Sequence, residues 1–163
     1  MHPTTHSTLS QRKGRHRGRC AVVPRPPKSA PTFCPECRAV FARGRWTWKA
    51  RLSVPADYCL PEVLCPACQR VRDRDPVHVV RIEGVPRARA RDIEALARHV
   101  EAAERASRPQ ERLVQVASTR GGLCFGTTGV HLSRRLVAAI LRAWKRQVEV
   151  LLRNDVETRL RWQ

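Results

Sequence analysis

The decisive stretch begins Phe33-Cys34-Pro35-Glu36-Cys37 and closes, after a run from Arg38 to Leu64, with Cys65-Pro66-Ala67-Cys68. In each pair two residues separate the thiols, and a proline follows the first Cys. A tight knuckle of that kind turns both sulfurs toward one ion, and two knuckles complete a tetrahedral four-thiolate shell. The insert of 27 residues exceeds the usual ~15–20, which adds loop or hairpin between the knuckles. Two other chemistries use the same motif. A redox CxxC needs one pair in a thioredoxin-like βαβ context, absent around both pairs. Two disulfides need an oxidising compartment. The spacing therefore predicts one structural Zn2+ held by Cys34, Cys37, Cys65 and Cys68, in a zinc-ribbon-like module over residues 32–76.

The 163 residues leave room for one ordinary domain beside that module. Charge dominates the composition: 32 Lys+Arg stand against 14 Asp+Glu, a formal +18. Only Lys13, Lys28, Lys49 and Lys145 are lysines; every other cation is arginine. The planar guanidinium binds phosphate bidentately and stacks on bases, which suits RNA. High-GC coding also favours Arg and Ala, and a basic surface attracts any polyanion without specifying one. No run of eighteen apolar residues is present, so no transmembrane helix is expected. Met1-His2-Pro3-Thr4-Thr5-His6 lacks the apolar core of a signal peptide. With four of the seven cysteines in metal spacing, and Cys20, Cys59 and Cys124 left over as free thiols, the chain is expected in the reducing cytoplasm.

Residues 1–31 read as a disordered basic arm. Arg12, Lys13, Arg15, Arg17, Arg19, Arg25 and Lys28 meet no acidic residue there, and Pro24, Pro26 and Pro27 interrupt the rest. One-signed charge with little apolar content cannot offset the entropy of ordering. The Arg/Gly pattern from Gln11 to Arg19, with Arg12, Arg15, Arg17 and Arg19, resembles arms that lie along RNA.

Between the knuckles, Ala39 to Lys49 reads as a hairpin with Gly44 at its turn. Trp46 and Trp48 share a strand face, with Arg43, Arg45, Lys49 and Arg51 flanking it. That set is a candidate stacking platform for unpaired bases. Core packing over the metal is the competing use of the tryptophans, and the better one for at least one of them. Cys59 and His78 are spare ligands that a four-thiolate site does not need.

Residues 77–163 are expected to form a two-layer α+β domain of order β-α-β-β-α-β-β with an antiparallel or mixed sheet. A strand spans Val77–Ile82, and a helix from Ala88 to Arg105 carries Ile93, Leu96, Val100 and Ala103 on its inner stripe. Its outer face carries Glu94–Arg98 and Glu101–Arg105 as i,i+4 partners. Strands over Glu111–Ala117 and Leu123–Thr127 flank a Gly121-Gly122 turn. A second helix runs from Leu132 to Lys145, with Leu136, Ile140 and Ala143 inward and Val137, Leu141 and Trp144 beside them. A closing hairpin turns at Arg153-Asn154-Asp155.

No catalytic constellation emerges. Gly121 to Thr128 has the outline of a phosphate loop but lacks its lysine, and a β-turn explains its glycines. Cys124 has no base beside it, and His99 and His131 have no assignable carboxylate. The chain is read as a non-enzyme with no small-molecule substrate.

Two CPxC pairs around a basic insert, followed by the strand at Val79–Gly84 and the tail of the second helix, resemble small bacterial zinc proteins. These are related to the nonsense-mediated-decay protein of the large-ribosomal-subunit export adaptor family. The resemblance spans residues 33–163. It implies zinc at Cys34, Cys37, Cys65 and Cys68 and contact with ribosomal or other structured RNA. This chain has two CxxC pairs where archaeal and eukaryotic members have more, and their downstream domains are not expected in it. The function expected is therefore a zinc-stabilised RNA-binding protein associated with ribosomes. A DNA-binding or transcription-associated zinc protein, and a protein-interaction adaptor with a basic tail, are the alternatives.

Overall fold

A computed structural model describes residues 31–48 and 60–163. The knuckle stretch opens a small antiparallel sheet in which β1 (Thr32–Phe33) pairs with β2 (Val40–Ala42), and β2 with β3 (Arg45–Thr47). The chain reverses at Arg43-Gly44, with φ of 52° and 78°. Two successive left-handed residues are what a two-residue hairpin turn needs, and glycine takes that conformation without a Cβ clash. The predicted hairpin and its turn residue are both present.

The second knuckle opens a helix that the sequence reading lacks, α1 (Pro66–Asp73). Eight residues with only Ala67 and Cys68 buried are too few to show a helical period. Its signals are local: Cys65 is the N-cap, its sulfur accepting from Cys68 N–H, and Pro66 occupies the first turn, where a missing N–H costs nothing. The proline of the second CPxC is thus a helix starter.

The rest of the chain gives β4 (His78–Glu83), α2 (Arg87–Arg105), β5 (Leu113–Thr119), β6 (Gly122–Thr127), α3 (Val130–Ala143), β7 (Val148–Arg153) and β8 (Glu157–Trp162). This is the predicted β-α-β-β-α-β-β order, in an α+β architecture. The five strands lie as β5-β6-β4-β8-β7. β4 and β8 run parallel and the other pairs antiparallel, so the sheet is mixed.

Strand alternation sends Val80, Ile82, Leu123, Phe125 and Leu160 to one face, where Ile93 and Ala97 of α2 and Leu136, Val137 and Ile140 of α3 cover them. Burying one such large apolar side chain stabilises by roughly 1.5–3 kcal/mol. The opposite face carries an ionic ladder in which Arg81 and Arg159 both donate to Glu157, at 2.8 and 3.1 Å. Gly122 lies so close to β4 that a Cβ there would sit 1.7 Å from the Ile82 carbonyl oxygen, and one on Gly126 would press on Pro76 and Gln115. Strand packing, not phosphate binding, accounts for these glycines.

Both helices are rotated slightly from the predicted stripes. Ala103 and Ala143 are exposed, whereas Ala97 and Glu104 are buried on α2. The spacings 93/96/100/103 and 93/97/100/104 fit one helix equally well, and the sheet selects the second. Glu101 does not pair with Arg105: its carboxylate accepts from Leu113 N–H at 2.9 Å and faces Arg112 at 3.8 Å. No described helix is long and apolar enough to cross a membrane.

Candidate metal centre

The first knuckle is a turn closed by Cys34 N–H on Ala39 O (2.8 Å) and Arg38 N–H on Cys34 O (2.8 Å). Arg38 takes a left-handed φ of 64° to make it. The second knuckle is the capped start of α1. They meet because the chain ahead of Cys65 lies beside β1: Phe33 N–H donates to Pro61 O (3.0 Å) and Val63 N–H to Phe33 O (2.9 Å). Sequence separation between the pairs is absorbed by this short parallel contact.

The sulfurs of Cys34, Cys37, Cys65 and Cys68 all lie within 4.8 Å of one another, with Cys37 Sγ 3.7 Å from Cys65 Sγ. Tetrahedral thiolates at ~2.3 Å from a zinc ion stand about 3.8 Å apart, so the donor set and its spacing fit a metal ion. Cys34, Cys65 and Cys68 are buried and Cys37 half-buried. Backbone donors aim at the sulfurs: Cys65 N–H to Cys34 Sγ and Cys68 N–H to Cys65 Sγ, both at 3.4 Å. Burial opposes ionisation of Cys34, but N–H groups of Cys37, Cys65 and Glu36 outweigh it and bring the thiol down to about 7. Burial, reinforced by the neighbouring thiols, pushes Cys68 up, and burial raises Cys37 as well. Clustered thiols resist ionising together without a cation, and a bound divalent ion removes that conflict.

The second sphere comes from the five-stranded domain. Arg112 Nη1 donates to Cys68 Sγ at 3.6 Å, placing a guanidinium against a centre that four thiolates around a divalent ion would make negative. The Gln110 side-chain carbonyl accepts from Ala67 N–H at 3.3 Å in the first turn of α1. Trp46 and Leu64 pack on the cysteines, and Phe41 meets Trp46 with ring centroids 5.5 Å apart. Sequence reasoning missed Arg112 and Gln110, because nothing local tells which later segment will lie against a knuckle.

The candidate nucleic-acid residues divide. Arg43 and Arg45 are exposed at the hairpin turn. Trp46 and Trp48 do not form a common platform: Trp46 lies on the cysteine cluster, whereas Trp48 follows β3 and docks on α2. Its Nε1 donates to the Arg105 carbonyl, and the Arg105 guanidinium sits 5.8 Å from its ring centroid. Arg12, Arg15, Arg17, Arg19, Lys49 and Arg51 lie outside the described residues, as do Cys20 and Cys59. His78 is not a spare ligand. It is buried in the sheet, bridging Asp155 O and Thr158 Oγ1 at 3.1 Å each. Cys124 is buried beside Gln115.

His131 does have a carboxylate. Glu104, 8 % exposed, faces His131 Nε2 (2.9 Å), Arg108 Nη1 (2.8 Å) and Arg135 Nε (2.7 Å). The bond from His131, and after it that from Arg135, hold this carboxyl below the ordinary range against the opposing effect of burial.

The fold and site together define an α+β protein with a four-cysteine centre suited to a metal ion. No protein-family model, curated protein or solved structure matches the chain.

Proposed function

We propose that this chain is a non-enzymatic, zinc-stabilised RNA-binding protein that works on ribosomes in the cytoplasm. Zinc is the natural occupant because a closed set of four thiolates selects it over cations that prefer oxygen. With four protein ligands no coordination position remains for a substrate, so the ion's role is to hold the two knuckles, α1 and the β2–β3 hairpin together.

The observation that carries the RNA reading is uncompensated arginine. The chain has a formal charge of +18, and several of its carboxylates are already engaged, among them Glu104 by His131, Arg108 and Arg135 and Glu157 by Arg81 and Arg159. Arg43, Arg45, Arg98, Arg134 and Arg142 are exposed and have no ion-pair partner among the described residues. Such guanidiniums are free for phosphate, and binding through them releases counterions. The resemblance of residues 33–163 to a ribosome-bound family points the same way.

The test is binding of nuclease-treated, metal-quantified protein to ribosomal RNA across a salt series, with duplex DNA as competitor. The expected result is about one zinc per chain and an RNA affinity that falls steeply with salt and survives DNA competition. Absence of salt-sensitive RNA affinity at near-physiological ionic strength overturns the reading. Equal displacement by duplex DNA redirects it to a DNA-binding zinc protein. A stoichiometric protein partner without nucleic acid makes the chain an adaptor.

A further inference from the structure

A cleft of about 680 Å³ separates the β2–β3 hairpin from the turn between α2 and β5. Its size is that of a small-ligand site, roughly 300–1,000 Å³, yet its walls are polar and cationic. Arg45 and Trp46 stand on one side, and Arg108, Gln110 and Glu111 on the other. Trp46 is the aromatic member of this lining. Arg45 has no ion-pair partner among the described residues. Arg108 leans on Glu104 with its side chain still 55 % exposed. The carboxylate of Glu111 is committed elsewhere, its Oε2 accepting from Leu132 N–H at 3.0 Å near the start of α3. The cleft therefore offers a flat ring and two guanidiniums, with its one carboxylate engaged by backbone.

Both walls are tied to the four cysteines. Trp46 is fixed by packing on the cluster and on Phe41, so its ring needs no ordering when something stacks on it. Gln110 anchors the opposite wall by accepting from Ala67 N–H in α1, and its buried Nε2 has no hydrogen-bond partner among the described residues. The metal module thus shapes this cleft as well as stabilising itself.

We propose that the cleft is a site for one unpaired nucleotide of a single-stranded RNA, with the base against Trp46 and the phosphate on Arg45 and Arg108. The inference rests on the RNA-binding reading and gives it a location. A base inside a duplex cannot lay its face on Trp46 without leaving its stack and unpairing, whereas an unpaired base presents its face freely. Stacking on an aromatic ring contributes about 1–3 kcal/mol per base and tolerates all four bases. The site should therefore prefer single strands without reading sequence strongly.

The experiment uses the full, zinc-loaded chain and a short single-stranded RNA carrying a photoreactive pyrimidine, with Arg45→Ala compared against Arg120→Ala. Both arginines are exposed, and Arg120 lies away from the cleft at the β5–β6 turn. The site predicts a loss of about tenfold for Arg45→Ala, the size of a charge-assisted phosphate bond, and under about twofold for Arg120→Ala. It also predicts cross-links on the peptide containing Trp46. Zinc content of each variant confirms that the hairpin is intact. Equal losses from the two variants, with cross-links outside the cleft, overturn the site and leave the RNA reading standing. No RNA affinity in the wild-type chain overturns both.

Discussion

Glu104 shows how one residue can decide a local geometry. It sits almost fully buried on α2 and draws Arg108, His131 and Arg135 from the following turn and from α3. Those partners keep side-chain exposures of 55 %, 43 % and 59 %, so they resolvate when the carboxylate is lost. Glu104→Gln should therefore cost only about 1–2 kcal/mol, measurable as a lower urea midpoint. The sign with pH follows from the depressed folded-state value. Stability from this group is present above the unfolded carboxylate value of about 4.3 and is lost as pH falls through the lower folded one. The gap in melting temperature between wild type and Glu104→Gln should be full above about pH 5 and shrink as the solution is acidified below the unfolded carboxylate value; a gap that widens in acid would refute the assignment. The glycines give a second contrast. Gly122→Ala sets a Cβ against the Ile82 carbonyl and should cost at least about 2 kcal/mol, whereas Gly121 has nothing within 4 Å and Gly121→Ala should stay within about 0.5 kcal/mol. Equal urea midpoints for the two variants would show that β6 does not approach β4 this closely.

At the scale of elements, the molecule has two separate cores. One lies between the five-stranded sheet and helices α2 and α3; the other is little more than four cysteines with Ala67, Leu64 and Trp46. A cluster that small cannot offset the ordering of its own segment without the ion. Chelation should therefore abolish amide-exchange protection in β1, β2, β3 and α1 while β4, β6 and α3 keep theirs. Unchanged exchange in β1–β3 after metal removal would mean that the four thiols hold no structural ion. What the sequence made legible follows the same division. A β-branched run gave β4, regular alternation gave β8, and long apolar stripes gave α2 and α3, since burial on one face imposes a period. The four ligands were legible because coordination imposes a spacing. Helix α1 was not, because its capping thiol and N-terminal proline are also the knuckle signature. Nor were the burial of Glu104, the contact of Arg112 with Cys68 and the docking of Trp48 on Arg105. Each pairs residues distant in sequence, and periodicity is silent about partners. The parallel β4–β8 pair was open for the same reason, as alternation within a strand carries no direction.

At the scale of the whole chain, charge dominates. Folding has engaged six acidic residues in ion pairs among the described residues, while seven of the 32 cations belong to residues 1–31: Arg12, Lys13, Arg15, Arg17, Arg19, Arg25 and Lys28, without one acidic residue. An arm of this composition adds affinity for a polyanion by counterion release, a contribution that salt removes and sequence does not alter. The cleft beside Trp46 would add a contribution of another kind, resting on stacking against a ring held by packing and on one phosphate contact, hence less sensitive to salt than the seven cations and dependent on unpaired bases. The two can be separated in one experiment. Each phosphate neutralised on a single strand contributes about 0.7 to the slope of log affinity against log salt. A chain lacking residues 1–31 should therefore show a slope shallower by up to about 5, if all seven of its cations engage phosphates. Its preference for single-stranded over duplex RNA should persist, because that preference belongs to the folded part. A truncated chain with an unchanged slope would assign the electrostatics to the folded surface. A truncated chain that binds single strands and duplexes alike would show that discrimination resides in the arm, and that the metal module contributes charge without a binding site.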